Sequence, residues 1–158
     1  MKQVVYRGGV VSFNIPENWC EEYEPKGGGT FYEDKPDTGT LRLNVLSFSK
    51  KEPVTLDDAT RDVFGGDSHE LLPCGFPMRH YVKEGEEQGT SLRLYRWEVL
   101  VQVTPTHYRL ACFTHTIVAA LDGTKESEEE LRLVNSIVRE AHYSTEPGAA
   151  ERPWWKLW

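Results

Sequence analysis

The side chains best suited to chemistry in this sequence are five histidines and three cysteines, and both sets are scattered along the chain. The histidines are His69, His80, His107, His115 and His142, and the cysteines are Cys20, Cys74 and Cys112. No two histidines have the i,i+4 spacing of a helical zinc motif, and no two cysteines form a C-x-x-C pair. The sequence therefore predicts no metal site and no cofactor.

Three of these side chains leave a chemical alternative open. His80 and His115 lie on predicted strands, and they can form a metal or acid–base pair if the fold brings the two strands together. Cys74, in the loop 73–77, is the one cysteine whose setting allows reactivity, whereas Cys112 lies mid-strand like an inert buried thiol. A small-ligand-binding protein or enzyme, with a pocket between the sheet and a helix, is therefore the alternative function.

Two further patterns resemble binding motifs but favour plain structure. Gly27–Gly29 runs into the strand-like Thr30–Glu33 and not into a helix, which indicates a turn or bulge instead of a phosphate-binding loop. The carboxylates of residues 52–62 lack the alternating ligands and the glycine of a calcium loop, so they are typical of a solvated helix face.

A pair of long strands, residues 91–103 and 107–119, has to position any site in this chain. Tyr95, Trp97 and Val99 fall on one face of the first strand with period two, and a short Pro-containing link joins it to the second. This pattern predicts an antiparallel hairpin. Because both strands carry apolar residues on both faces, we expect the hairpin at the centre of a sheet that is covered on both sides.

Helices and further strands are predicted around this hairpin. Thr55 is the expected N-cap of a helix that ends at Gly65–Gly66, and Ser127 and Glu130 form a capping-box pattern for a second helix that ends near His142. Two segments are polar. Residues 21–26 are predicted to form a connection, and residues 84–89 are predicted to form an exposed turn. The remaining strands are expected at residues 4–6, 10–15, 30–33, 40–49 and 78–83.

Together these elements predict an α+β fold. A single antiparallel sheet of about six to seven strands, flanked by helices as an α/β/α sandwich, fits their order. Residues 1–143 form one domain in this prediction, and residues 144–158 form a linker and a Trp-rich C-terminal tail.

Charge and composition exclude several classes of function. The net charge of −7 repels phosphate backbones, so nucleic acid is not an expected partner, although a basic protein partner is compatible with it. No apolar run is long enough for a signal peptide or a membrane span. Three widely spaced cysteines form no disulfide framework, which favours a cytoplasmic protein.

The order of elements, together with the stretch Phe13-x-Ile15-Pro16-x-x-Trp19, resembles the PsbP-like fold superfamily over residues 4–142. That superfamily includes extrinsic subunits of the photosynthetic oxygen-evolving complex, a Ran-binding nuclear transport protein, bacterial DcrB-type lipoproteins and type VI secretion effector chaperones. Its members are mostly non-enzymatic and bind other proteins. The resemblance implies a binding module and carries no site residue over to this chain.

We therefore expect a bacterial, non-enzymatic protein-binding module, such as an adaptor, a chaperone-like protein or an immunity-type protein. The predicted binding residues are Tyr95 and Trp97 on the sheet face and Trp154, Trp155 and Trp158 in the tail. Their contribution would be apolar anchoring. Two alternatives for the tail are packing on its own domain and packing on a second copy of the chain as a homo-oligomer.

Overall fold

A computed structural model describes residues 1–147, and this part of the chain forms an α+β fold of ten strands and two α-helices. Their bounds in chain order are β1 Lys2–Tyr6, β2 Val11–Ile15, β3 Trp19–Tyr23, β4 Gly29–Glu33, β5 Thr40–Ser49, α1 Leu56–Phe64, β6 Glu70–Leu71, β7 Pro77–Glu87, β8 Thr90–Thr104, β9 His107–Val118, α2 Lys125–Glu140 and β10 His142–Tyr143. Within these residues, neither helix is long and apolar enough to cross a membrane.

Seven of the strands form one antiparallel sheet in the order β3-β4-β5-β9-β8-β7-β6. The β8–β9 hairpin lies in the middle of this sheet, as the two long strand patterns predicted. Trp97 faces Phe113 across the hairpin, and the register shifts only near the turn, between Gln102 and Thr104.

The two faces of the hairpin pack against different elements, which confirms the prediction of a sheet covered on both sides. Odd-numbered residues such as Trp97 and Phe113 join the main core with Val134 and Val138 of α2. Even-numbered residues form a second, smaller core with α1, made of Leu100, Tyr108, Leu110, Cys112, Ala59 and Phe64. The alternation of the strands thus separates the two cores.

A second, three-stranded sheet in the order β1-β2-β10 was not predicted. β10 has only two residues, and it pairs with β2 near the other end of the chain, His142 opposite Ser12 and Tyr143 opposite Val11. The Tyr143 hydroxyl donates a 2.7 Å hydrogen bond to the carbonyl oxygen of Val138, which anchors β10 on α2. So short a strand depends on this tertiary contact and leaves no periodic pattern in the sequence.

The first helix begins as predicted, and the second does not. Thr55 caps α1 by accepting a hydrogen bond from the backbone N–H of Asp58. The cap of α2 is Thr124, whose hydroxyl oxygen accepts from the N–H of Ser127, so the predicted Ser127–Glu130 capping box is wrong. Glu130 is free to bond elsewhere because it lies in the second turn of α2.

Two polar segments turn out to be strands. Residues 21–23 belong to β3, so the predicted polar connection is wrong there, and the cause is that β3 is an edge strand with only Trp19 buried. β7 continues through Glu87, and the predicted exposed turn shrinks to Gln88 and Gly89, which both have positive φ. A strand that is exposed to water can carry polar side chains on both faces and still form the backbone hydrogen bonds that join it to its neighbour.

Candidate functional site

A cleft of about 580 Å³ opens between the N-terminal half of α2 and the loop that joins β4 to β5, residues 34–39. We call it the α2 cleft. Its apolar lining comes from five side chains, Trp19, Pro36, Ile117, Leu121 and Leu133. Trp19 and Ile117 are buried, whereas Leu121 and Leu133 are half-buried and keep surface available to a ligand.

The polar lining of the α2 cleft is mostly acidic. Its ionisable residues are Glu33, Lys35, Asp37, Glu126, Glu129 and Glu130. Five of these six are carboxylic acids, so the cleft repels anions and attracts cations.

The β4–β5 loop is fixed in place by its own hydrogen bonds and by one bond to α2. The Thr38 hydroxyl donates to the carbonyl oxygens of Glu33 and Lys35, at 3.2 and 3.0 Å, and Asp37 takes a positive φ of 62° at the tip. The backbone N–H of Gly39 then donates a 2.7 Å hydrogen bond to Oε1 of Glu130. This bond closes one wall of the cleft.

Gly39 is required where it stands because there is no room for a side chain. A Cβ atom at this position would overlap Cε1 of His115, and it would lie 2.7 Å from both Nε2 of His115 and Oε1 of Glu130. The backbone of the β4–β5 loop therefore covers the imidazole of His115 directly.

His115 and Glu130 form a buried pair behind the wall of the cleft. Nε2 of His115 lies 3.3 Å from Oε1 of Glu130, and the two side chains are only 2% and 12% exposed. The distance suits an ion pair, but the alignment does not suit a hydrogen bond. Neither ring nitrogen of His115 has a hydrogen-bond partner among the described residues.

Burial shifts the pKa of both members of this pair in the direction that disfavours the charged form. Desolvation lowers the pKa of His115 to about 4, so the imidazole is neutral at pH 7. Desolvation also raises the pKa of Glu130, against the opposing effect of the Gly39 hydrogen bond. The negative charge of Glu33 raises the pKa of Glu130 further, and the positive charge of Lys35 opposes this rise.

The hydroxyl groups around the cleft are engaged in structure. Ser127 Oγ donates a 2.9 Å hydrogen bond to the carbonyl oxygen of Thr124, and the Thr124 hydroxyl caps α2. These hydroxyl groups therefore take part in the local structure of the helix start.

The structure places the predicted sheet-face residues on the side covered by α2. Trp97 is fully buried, and its Nε1 donates a 3.1 Å hydrogen bond to Oδ1 of Asn135. Tyr95 is half-buried, and its hydroxyl donates a 2.7 Å hydrogen bond to Oδ1 of Asp122. In this conformation Trp97 has no surface to offer a partner, and the prediction of binding through this face stays untested.

Two of the remaining candidate residues, His80 and His115, lie apart on the sheet. Trp154, Trp155 and Trp158 lie outside the described residues. His80 stacks on Trp97, with ring centroids 4.6 Å apart and planes at 14°, while His115 sits two strands away beside Glu130.

The cysteines also stand apart from the cleft. Cys74 is exposed in its loop, Cys112 is buried, and burial raises the pKa of the Cys112 thiol to about 11. The inert character predicted for Cys112 agrees with that raised pKa, whereas the reactivity of Cys74 stays a prediction.

The sequence analysis did not identify the α2 cleft, although it assigned local structure to some of the residues that line it. Residues 34–39 link two predicted strands, and Glu130 was assigned to a helix cap. The local signal in the sequence is a glycine, Gly39, directly after a Pro-Asp-Thr turn. His115 and Glu130, which this glycine contacts, lie far from it along the chain. Their meeting depends on contacts between distant parts of the chain, which a local pattern does not contain.

Comparison with known proteins identifies similar folds but no matching family. No protein-family model matches the sequence, and no curated protein matches it. The fold is similar to that of a protein from Bacteroides thetaiotaomicron VPI-5482, with a TM-score of 0.60 and 21% identity over 90% of this chain and 48% of that one. This chain therefore spans about half the length of the Bacteroides protein.

The fold is also similar to LpqN, which is involved in cell envelope biogenesis of Mycobacterium tuberculosis. The TM-score is 0.59 and the identity 11%, over 83% of this chain and 81% of LpqN. Identities this low show a shared fold alone.

Proposed function

We propose that this protein is a non-enzymatic binding module that holds a segment of a protein partner in the α2 cleft. The observation that carries the proposal is the cleft itself, about 580 Å³ between α2 and the β4–β5 loop. Ligand pockets commonly have volumes of roughly 300–1,000 Å³ and combine an apolar lining with a few placed polar groups. The α2 cleft has both.

The exposed part of the lining is suited to a protein partner. Leu121 and Leu133 are half-buried apolar residues of the lining, and the exposed residues Glu126 and Glu129 also line the cleft. An apolar centre within a polar rim is the usual anatomy of a protein interface. A partner side chain inserted between the two leucines would be the anchor of such an interface.

Three features of the proposal rest on comparison and composition. The resemblance to the PsbP-like superfamily favours protein binding, and the two similar structures described above come from bacteria. A reducing, cytoplasmic location fits the three cysteines, which are all free. The role of LpqN makes the cell envelope the competing location.

Selection of binding peptides tests the proposal directly. Peptides selected from a random phage-displayed library on the full-length protein are measured against Leu133→Trp, which fills the cleft, and against Leu46→Trp. Leu46 is the matched control because it is an exposed leucine, 56% accessible, on β5. We expect the peptides to bind Leu46→Trp like the wild type and to lose about tenfold or more in affinity for Leu133→Trp.

Peptides that bind Leu133→Trp as tightly as the wild type would overturn the proposal. Circular dichroism and thermal melting establish that each variant is folded. If Leu133→Trp does not fold, Leu121→Trp blocks the cleft from the other wall and keeps the test decisive.

The second candidate function is a small-ligand-binding protein or enzyme that uses the same cleft. The observation in its favour is the pair of His115 and Glu130, whose pKa values burial shifts away from the charged forms. Such perturbed groups beside a pocket are typical of ligand and active sites. A selection that yields no cleft-dependent peptide, followed by a small-molecule screen with hits that Leu133→Trp abolishes, would favour this function.

The tail gives a second, separable surface for the first candidate function. Alanine at Trp155 or Trp158 is predicted to weaken partner binding by about 1 kcal/mol or more, the scale of a hot-spot residue. Comparing these variants with Leu133→Trp on the same partner separates a tail site from a cleft site. The homo-oligomer alternative is measured by light scattering on the full chain and on a chain that ends at Ser144.

A further inference from the structure

A second, smaller cavity lies beside residues 144–146, the segment that precedes the Trp-rich end of the chain. It has a volume of about 220 Å³ and is lined by residues 47–49 of β5, Val103 of β8 and residues 107–109 of β9. We call it the hairpin groove, because it lies next to the turn of the β8–β9 hairpin. We propose that the tail docks in the hairpin groove of its own chain through one of its tryptophans, Trp154, Trp155 or Trp158.

The first ground is Arg109, which fixes the path of the chain at the edge of the groove. Arg109 is 3% exposed, and its Nη1 donates a 2.9 Å hydrogen bond to the carbonyl oxygen of Ser144, while Nη2 donates a 2.7 Å bond to that of Glu146. The N–H of Glu146 also donates to Oγ of Ser144, at 3.1 Å. A buried guanidinium is costly unless it is hydrogen-bonded. The fold therefore uses a buried cation to direct a segment that follows its last described strand.

The second ground is the length of chain that follows this segment. Pro147 lies in a turn and precedes Gly148, a pair of residues that favours a change of chain direction. Trp154 comes seven residues after Pro147. Because an extended residue spans about 3.3–3.6 Å, this stretch can cover 20 Å or more. Trp155 and Trp158 follow it, so all three tryptophans are within reach of the hairpin groove.

The third ground is the fit of the groove to a single aromatic side chain. Its volume lies below the roughly 300–1,000 Å³ of small-molecule pockets. Ser47 and Ser49 are exposed, and they pair across the sheet with Arg109 and His107, so these side chains share one face. Val103, which is half-buried, adds apolar surface. An indole ring packs on planar guanidinium and imidazole groups, and its N–H can donate to a serine hydroxyl.

The tether favours the chain's own tail over a second copy as the occupant. Each tryptophan can bury roughly 150–250 Å² of surface, so three of them are unfavourable in water without cover. A short linker that starts beside a site gives the attached group an effective concentration in the millimolar range. The segment held by Arg109 is such a starting point.

Acrylamide quenching of tryptophan fluorescence in the full-length protein measures this docking. Trp19 and Trp97 are 6% and 0% exposed, so the quenchable signal comes from the tail. We expect Val103→Asp, which places a charge in the groove, to raise the quenchable fraction. Val82→Asp should leave it unchanged, because Val82 is an exposed valine of β7, 48% accessible. If Val103→Asp does not fold, Ser49→Arg blocks the groove from its exposed side.

NMR of the ¹⁵N-labelled full-length protein identifies the docked tryptophan. One of the variants Trp154→Ala, Trp155→Ala and Trp158→Ala should shift the amide signals of residues 47–49, and the signal of Val82 should stay in place. The wild-type signals of residues 47–49 should keep their positions on dilution, because docking within one chain does not depend on concentration.

The outcomes are decisive for this proposal and leave the proposed function apart. Docking is overturned if none of the three alanine variants moves the groove signals, or if the folded groove variants leave quenching unchanged. Groove signals that move on dilution indicate docking on a second copy, which also overturns docking within one chain. The substitution Leu133→Trp tests the α2 cleft, a different surface, so either proposal can fail without the other.

Discussion

The backbone N–H of Gly39 donates its hydrogen bond to Oε1 of Glu130, across 2.7 Å, and so ties the β4–β5 loop to α2. Behind that bond lies the imidazole of His115, which the glycine covers without room for a side chain. The α2 cleft exists because this contact holds the loop at a fixed distance from the helix.

Gly39→Ala should therefore loosen the cleft. The new methyl group would meet His115 and Glu130, and overpacking of this kind costs about 1–3 kcal/mol. The free energy of unfolding, measured in urea, checks this expectation. Gly66→Ala is the matched control, because no atom lies within 4 Å of its added Cβ and its φ is not in the left-handed region. A loss at Gly66 as large as at Gly39 would contradict the steric explanation.

The stability should depend on pH through His115. Its pKa is about 4 in the folded chain, against an ordinary value of 6.5, so between these values the unfolded chain binds more protons. The free energy of unfolding from this residue therefore rises with pH across that window, by about 3 kcal/mol in total, and is lost on acidification.

Glu130 works in the opposite direction, because its raised pKa favours the folded chain at low pH. The difference between wild type and His115→Leu isolates the histidine, and we expect a smaller pH slope in the variant. An NMR titration of the His115 imidazole gives its pKa directly, and a value near 6.5 would refute the prediction.

The ion pair of Arg79 and Glu98 should be the most costly one to break. Glu98 is 4% exposed, and both of its oxygens accept from Nη2 of Arg79, at 3.1 and 3.0 Å. Glu98→Gln removes the buried carboxylate and leaves Arg79 paired only with the exposed Asp67, and we expect a loss of about 2 kcal/mol by urea denaturation. Arg61→Gln breaks the exposed pair with Asp58 and should cost less than about 0.5 kcal/mol. Similar losses in the two variants would show that burial does not matter here.

Thiol labelling should distinguish the cysteines by exposure. Iodoacetamide at neutral pH should modify Cys74 first, because it is exposed, and Cys20 more slowly, because it is half-buried. Cys112 should react only after unfolding, because it is buried and its thiol has a pKa of about 11. Mass spectrometry of tryptic peptides over time gives the order, and early modification of Cys112 would be inconsistent with this core.

The central part of the fold was predictable because its signals are local. The alternation of Tyr95, Trp97 and Val99 identifies a strand, and the Pro-containing link identifies its hairpin partner. Thr55 was recognisable as a cap because acidic residues follow it directly in the first turn. These are short-range rules, and packing reinforces them in this structure.

The outer elements and the cleft were not predictable in the same way. Two possible caps, Thr124 and Ser127, stand three residues apart, and the turn before α2 decides between them. Only Trp19 of β3 is buried, so the composition of this strand resembles a loop. The partnership of Gly39 with Glu130 joins residues far apart in sequence, and only the assembled sheet brings them together.

The position of β2 has a consequence for how the chain is made. Val11 pairs with Tyr6 on one side and with Tyr143 on the other, and Ser144 also donates to the carbonyl of Val10. A ribosome releases β2 early, and its second neighbour emerges only after the hairpin and both helices. The small sheet therefore closes last during synthesis, and the nascent chain exposes one edge of β2 until that moment.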